Sequence, residues 1–375
     1  MRLRTCLRGA AATAGAMVAV LAIPSTAQAA VTNVICDPVA LQTAITSAAS
    51  GDTLVLAPGC TYTYTDLNKA TADNALPVIN KTLTILGSGD TIQRASTAAT
   101  KFRLFQIDNP GNLTLTNLTI RNGHSAGDGG GILLNGAGTA LKASVVTVTN
   151  NFADIVGGGI ADLGGAATFN SSTVTSNTAG LDGGGFFVTG PGATGTFNSS
   201  SVVGNMSVGT GFAEGGGLEV LFGSKVTLNS TRVAGNTVSV TAAGGSVDGA
   251  GIAMNATVTL NSSPVENNTA TGSGGGAEGG GVFNFGGTLN VTSSRFSGNT
   301  ANDPVIGGKG GGLFNNGGGT ATFRSSPVTG NSALGPTATA GGIFRASGTV
   351  TLISSPVTGN IPNNCGSPST VPGCS

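Results

Sequence analysis

The stretch Thr257-Val258-Thr259-Leu260-Asn261-Ser262-Ser263-Pro264-Val265-Glu266-Asn267-Asn268, followed by Gly279-Gly280-Gly281-Val282, holds the pattern that decides the fold. Alternating Thr-Val-Thr-Leu has the two-residue period of a strand, and glycines in a cluster mark a sharp turn or a close approach of backbone. Both halves recur. The glycine cluster and its apolar follower return as Gly129-Gly130-Gly131-Ile132, Gly157-Gly158-Gly159-Ile160, Gly183-Gly184-Gly185-Phe186, Gly215-Gly216-Gly217-Leu218, Gly249-Ala250-Gly251-Ile252, Gly310-Gly311-Gly312-Leu313 and Ala340-Gly341-Gly342-Ile343. Last glycines of successive clusters lie 28, 26, 32, 34, 30, 31 and 30 residues apart. In phase with them runs an apolar-x-x-Asn motif, at Val148/Asn151, Val174/Asn177, Val202/Asn205, Val233/Asn236, Val265/Asn268, Phe296/Asn299, Val328/Asn331 and Val357/Asn360.

A period near 30 residues made of short alternating segments predicts a solenoid with one coil per repeat. Successive coils then run parallel, about 4.8 Å apart, and equivalent residues stack in columns. The expected fold class is all-β, a right-handed parallel β-helix, its hand following the general preference of parallel crossovers. A sandwich or propeller would instead show tight turns every ~8–12 residues. Asparagine suits a stacked position: its amide can donate to one neighbour and accept from the other, and it tolerates a left-handed backbone.

Composition points the same way. Glycine supplies 64 of 375 residues, more than twice the ~7% of average proteins, yet without the strict three-residue period of collagen. With 39% hydrophobic residues the chain has the apolar surface for a core, which argues against an extended disordered polymer. Gly, Thr, Ser, Asn and Val are poor helix formers.

Residues 1–29 read as a signal peptide, with basic Arg2, Arg4 and Arg8, an apolar run from Ala10 to Pro24, and Ala27-Gln28-Ala29 as cleavage signal. Residues 30–375 are then expected to form one secreted, extracellular or cell-surface domain, monomeric and without a transmembrane segment. Removing the leader arginines leaves 13 basic against 16 acidic residues, no footprint for nucleic acid. Four cysteines remain, Cys36, Cys60, Cys365 and Cys374. In an exported chain they predict disulfides, and the local pairing, Cys36 with Cys60 and Cys365 with Cys374, is favoured over the two alternatives.

An open solenoid needs caps. Asp37 can be an N-cap with Pro38 as first helical residue, and Leu41, Ala44, Ile45 and Ala48 fall at helical spacing before a stop at Gly51. The expectation is a capping helix over 37–50, irregular coils over 53–125 beginning with a strand at Thr53 to Ala57, regular repeats over 126–364, and an irregular disulfide-tied tail over 365–375.

Gly-Gly-x-[Ile/Leu] alternating with apolar-x-x-Asn resembles the GGAI and FxxN repeats of the polymorphic outer-membrane protein type, found in secreted bacterial β-helix proteins of the pectin-lyase-like superfamily. Phe296-Ser297-Gly298-Asn299 matches FxxN outright, and the resemblance spans roughly 113 to 364. It implies the fold. Outer-membrane members of that type end in a transmembrane β-barrel; the 11 residues after Asn364 are too few for one, so a released protein is expected. Polysaccharide lyases and glycosidases are common in the same superfamily, which makes polysaccharide degradation the alternative to non-catalytic binding or adhesion, with a structural spacer third.

Two columns could carry a ligand. Three residues before the last glycine stand Asp128, Asp182, Glu214, Asp248 and Glu278, interrupted by Val156 and ended by Lys309 and Thr339. Like charges so stacked repel by roughly 1 kcal/mol in water and by more in a drier groove, so they either splay into solvent or surround a cation; calcium, a hard ion bound by several carboxylates, is the candidate cofactor. The second column, one residue past the apolar follower, holds Phe187, Phe283, Phe314 and Phe344. Alternation turns these rings outward, either as a platform for a polysaccharide or other envelope surface, or as cover for a lateral loop.

No catalytic residue is assigned. Neighbouring acids could meet the ~5–9.5 Å carboxylate spacing of glycosidases, and Lys309 or Arg232 could be the base of a lyase. However, the lone His124 sits in a glycine-rich turn and reads as a tolerated surface residue. The sequence has neither a G-x-S-x-G elbow nor a Lys-Ser/Thr after a glycine cluster.

Overall fold

In the computed structural model, which describes residues 28–65, 73–366, 368 and 370–374, every strand pairing between successive coils is parallel, and the expected right-handed β-helix of about ten coils is formed. The signal peptide lies outside the described residues apart from Gln28 and Ala29. No helix among the described residues is long and apolar enough to cross a membrane.

One coil shows the plan. Thr194–Asn198 and Ser201–Val203 belong to a long sheet, Met206–Gly209 to a second, and Leu218–Val220 to a third, after which Lys225–Asn229 begins the next coil. The long sheet bends at a serine with left-handed backbone, φ 48° at Ser199 and 50° at Ser230. The residue after each bend is buried and builds a hydroxyl ladder: Ser172 N donates to Ser200 Oγ at 3.1 Å, Ser200 N to Thr231 Oγ1 at 3.1 Å and Thr231 N to Ser263 Oγ at 3.0 Å. Backbone donors that the bend removes from the strand ladder are thereby satisfied.

Inside the next corner runs the asparagine ladder. From Asn151 through Asn177, Asn205, Asn236, Asn268, Asn299 and Asn331 to Asn360, each Nδ2 donates to the Oδ1 of the following one at 2.8–3.1 Å. The donate-and-accept expectation holds. The left-handed geometry does not fall on these asparagines but on the residue before them, such as Ser176, Gly204, Gly235 and Gly298. The amide serves as interior hydrogen-bonding cement, and a neighbour makes the turn.

Glycine clusters do two things. At Gly183 the φ is +64°, a conformation that a side chain strains. At Gly185 a Cβ would lie 2.6 Å from the carbonyl oxygen of Gly217 in the next coil. The apolar follower then turns inward, from Ile132 through Phe186 to Ile343, each fully buried.

At the N-terminal end Asp37 Oδ1 accepts from Ala40 N at 2.8 Å and the helix Pro38–Ser47 buries Leu41 and Ile45, as expected. It ends well before Gly51, where Lys81 Nζ donates to the carbonyls of Thr46 and Ala48 at 3.3 and 2.5 Å, a cation at a helix C-terminus. The first strand is not Thr53–Leu56 but Val31–Val34, which pairs with it in parallel. Both disulfides have the local pairing. The tail is less irregular than expected: Cys365–Gly366 adds a last strand to the third sheet against Ile343–Arg345.

Candidate functional site

Between the second sheet and the glycine cluster, three coils carry an extra strand. Phe212–Glu214, Ser246–Asp248 and Gly276–Glu278 pair in register into a small sheet, an arm that packs against the second sheet. Isolated bridges extend the column from Val156 to Asp182, from Asp182 to Glu214, and from Glu278 through Lys309 to Thr339. Asp182, Glu214, Asp248 and Glu278 are therefore direct neighbours on four consecutive coils. Asp128 is not among them: it lies beyond Val156, whose carbonyl accepts from Gly129 N.

These acids neither fan into water nor converge on a point. Half-buried, Glu214 stands in register with Asp248 on the next coil, its main-chain N donates to Asp182 Oδ1 at 3.0 Å, and Glu219 is close enough for the two charges to act on one another. Glu219 comes from the third sheet, in the position that holds Phe187 and Ala253 on the adjoining coils. It is 1% exposed, and its Oε2 has no hydrogen-bond partner. Among the described residues no three His, Cys, Asp or Glu side chains stand in metal-holding geometry. The column expected as a calcium set, Asp128, Asp182, Glu214, Asp248 and Glu278, is brought together on consecutive coils except for Asp128.

Burial dominates their protonation. Desolvation, then the charge of Glu214, pushes Asp182 up to about 7. Desolvation raises Glu214, and with the neighbouring acids it lifts Glu219 and Asp248 well above the carboxylate range. Glu278 is also raised by burial although Lys309 Nζ stands 3.6 Å away. Such groups titrate as one system.

The phenylalanine column is turned outward from the coil, as alternation predicts, but it is not an exposed platform. Phe187, Phe283, Phe314 and Phe344 are all buried. Phe283, Phe314 and Phe344 stack at 5.5 and 5.1 Å and pack with Ala340, and Lys309 Nζ lies 5.8 Å from the Phe344 ring. The three rings pack on one another and on Ala340 and Ala346, closed off from solvent. Phe283 also reaches a cavity. Its ring lies 6.3 Å from that of Phe285, 14° from parallel, and Phe285 is 52% exposed.

Between arm and third sheet opens a cleft of about 270 Å³, lined by Glu214, Asp248, Leu221, Asn255, Phe283 and Phe285, with Met254 at its base. A second, shallower hollow lined by Lys225, Thr257 and Thr288 shares Asn255 with it. Of the expected ligand residues, Glu214, Asp248 and Phe283 line this cleft; Asp182, Glu278, Phe314 and Phe344 do not. Glu219, Asn255 and Phe285 were not foreseen. A charged residue following Leu218, in a column otherwise of Leu, Ala and Phe, is the signal that could have found Glu219.

The two basic candidates are engaged elsewhere. Arg232 sits on the long sheet with Nε 3.2 Å from Glu266 Oε2, and Lys309 pairs with Glu278. His124 is more than a tolerated surface residue: its Nε2 lies 3.0 Å from Asp154 Oδ1, Asp154 Oδ2 lies 2.5 Å from Lys101 Nζ, and the imidazole meets Phe152 edge-on at 4.8 Å.

Neither a protein-family model nor a curated protein matches the sequence. Among solved structures the chain is similar to that titled "Crystal structure of pectate lyase Pel9A", at 12% identity and a TM-score of 0.45, over 88% of this chain and 78% of that one.

Proposed function

We propose that this is a secreted β-helix protein that binds neutral polysaccharide of a cell envelope or other surface along the arm cleft, without cleaving it. The observation that carries the reading is the pairing, in one cleft, of the exposed Phe285 ring, backed by Phe283, with the carboxyls of Glu214 and Asp248 and the amide of Asn255. An apolar wall with a few convergent polar groups is how ligand sites combine affinity with orientation. A sugar ring offers both an apolar face and hydroxyls that donate and accept. A second hollow with Lys225 and Thr288, on the other side of Asn255, suits a polymer more than a single residue.

Charge selects within that class. Ionised uronates would meet buried acids with no basic side chain acting on them, so neutral chains are favoured over polygalacturonate. Hydrolysis is disfavoured because a glycosidase needs one ionised carboxylate beside its acid, whereas burial raises both Glu214 and Asp248. The leader and the disulfides support export, and the repeat resemblance to the polymorphic outer-membrane protein type supports a surface role. The test is calorimetric titration of the mature protein with xylan, mannan and cello-oligosaccharides against polygalacturonate with and without calcium, with reducing-end assay in parallel. Saturable binding of a neutral chain, weakened by Phe285→Ala and without new reducing ends, is the expected result. Release of products, or binding confined to polygalacturonate with calcium, would overturn it.

A further inference from the structure

The turn at 221–224, which leads from the third sheet into the long sheet, is closed by Ser224 N donating to Leu221 O at 3.2 Å. Both central residues are left-handed, with φ 44° at Phe222 and 79° at Gly223. Such a turn calls for Gly, Asn or Asp at its first central position. The register of the third sheet puts Gly136, Gly164, Gly190, Gly286 and Gly317 at that position on other coils, each with positive φ, and Ala256 on the coil after Phe222. Phe222 therefore sets a bulky ring on strained backbone in a column of glycines, and burial does not repay the strain, because the residue is 66% exposed. Strain kept without a packing gain points to function. Asn255, on the next coil, steadies the turn: its Oδ1 accepts from Phe222 N at 2.8 Å. Among the described residues its Nδ2 has no partner.

Phe222, Asn255 and Phe285 thus stand on three consecutive coils, ring, amide and ring. Beside them the second hollow is lined by 223–225, 255–257 and 286–288, with Lys225, Thr257 and Thr288 in register along its long-sheet edge. We infer that Phe222 is a second aromatic platform of the glycan site, and that the ligand is an extended β-1,4-linked chain laid along the solenoid axis. This rests on the glycan reading and narrows it. Phe222 and Phe285 are two coils apart, about 9.6 Å along the axis, the length of two sugars in such a chain. Each sugar there is turned over relative to the last, so alternate sugars offer the same apolar face to the two rings. The sugar between them presents hydroxyls to Asn255 Nδ2, and the donors of Lys225, Thr257 and Thr288 meet hydroxyls on the other edge. A ring fixed on a closed turn is ordered before the ligand arrives, which lowers the entropy cost of binding. Coiling β-1,3-linked chains do not bring alternate sugars to both rings.

The test is calorimetric titration of the whole mature protein with disaccharides, trisaccharides and longer members of the cello- and manno-oligosaccharide series, and with β-1,3-linked laminari-oligosaccharides of the same lengths. Thermal unfolding of each variant is recorded alongside. Affinity should rise about tenfold from disaccharide to trisaccharide in the β-1,4-linked series, the worth of one added aromatic contact, with no such step in the β-1,3-linked one. Phe222→Gly should abolish the step and Phe222→Tyr should keep it. Because Phe222→Gly installs the residue of the column and relieves the left-handed strain, it should unfold at or above the wild-type midpoint, so that lost affinity is not lost fold. A lowered midpoint with unchanged affinity would make Phe222 a structural residue and overturn the inference. Binding that needs Phe285 but not Phe222, or that is equal for the two linkages, would also overturn it and leave the glycan reading standing. No binding of any neutral chain, oligosaccharide or polymer, by the wild-type protein would overturn both.

Discussion

Asn236 Nδ2 donates to Asn268 Oδ1 at 2.9 Å, while Asn236 Oδ1 accepts from both the main-chain N and the side-chain Nδ2 of Asn205, at 2.9 and 3.1 Å. Its Nδ2 also donates to Val202 O at 3.0 Å. Every hydrogen-bonding site of a fully buried amide is thus used, and both neighbours depend on it. Asn236→Leu orphans groups on either side at roughly 1–3 kcal/mol each. The denaturation midpoint should fall markedly. Asn198→Leu, in the half-buried outer asparagine column, should cost far less because water can replace its partners. Equal losses in the two variants would refute this role for the inner ladder.

Gly185→Ala tests the coil spacing. The added methyl meets the Gly217 carbonyl at 2.6 Å and the Asn205 side chain at 2.9 Å, and neither can retreat without losing a ladder bond. Overpacking of this kind costs about 1–3 kcal/mol. Gly211→Ala, whose methyl would meet nothing within 4 Å, is the control and should be neutral or slightly stabilising. Chemical denaturation of the two variants decides it.

What could be read from sequence was what repeats. The glycine clusters and the ladder asparagines each recur eight times, and recurrence at one coil length fixes which residues stack whatever their local propensities. Single events were harder to read. Val31–Val34 has no counterpart in any repeat, and its strand state comes from pairing with Thr53–Leu56 across the capping helix. Phe314 and Phe344 were correctly turned outward by alternation, but their burial depends on loops and side chains that alternation does not describe. Glu219 shows the same limit in the site. The acid column was legible because it repeats, whereas the carboxyl that completes it enters once, from another sheet.

The Cys36–Cys60 disulfide joins the residue just before the capping helix to the start of the second coil, across 24 positions. By the loop-entropy model such a closure contributes about 3 kcal/mol. The double variant Cys36→Ser/Cys60→Ser should unfold its N-terminal end first. Because the cap covers an otherwise open strand edge, it should also self-associate on warming. Light scattering during thermal unfolding checks this, with Cys365→Ser/Cys374→Ser, whose loop spans 9 positions, expected to have the smaller effect. Scattering unchanged in the first pair would show that the helix holds without its bridge.

Asp162 stands in the same third-sheet column as Asn284 and Asn315. Its Oδ1 accepts from Gly165 N at 2.5 Å, as Asn284 Oδ1 accepts from Gly287 N at 3.0 Å. The second atom differs: Asn284 Nδ2 donates to Gly287 O and to Asn315 Oδ1, whereas Asp162 Oδ2 has no partner. Desolvation, opposed by the Gly165 and Gly164 amides, pushes Asp162 up to about 6. A carboxyl raised in the folded state adds stability below its unfolded value near 4 and loses it as pH rises through about 6. At neutral pH the ionised, half-partnered group therefore costs on the order of 2–3 kcal/mol relative to acid. Asp162→Asn supplies a donor where Oδ2 now stands and removes the titration. The variant should be more stable than wild type at about pH 7, by more than it is at about pH 4. Unfolding midpoints at the two pH values give the comparison, and a variant destabilised at both would mean that Oδ2 is better served as a carboxylate oxygen than as an amide.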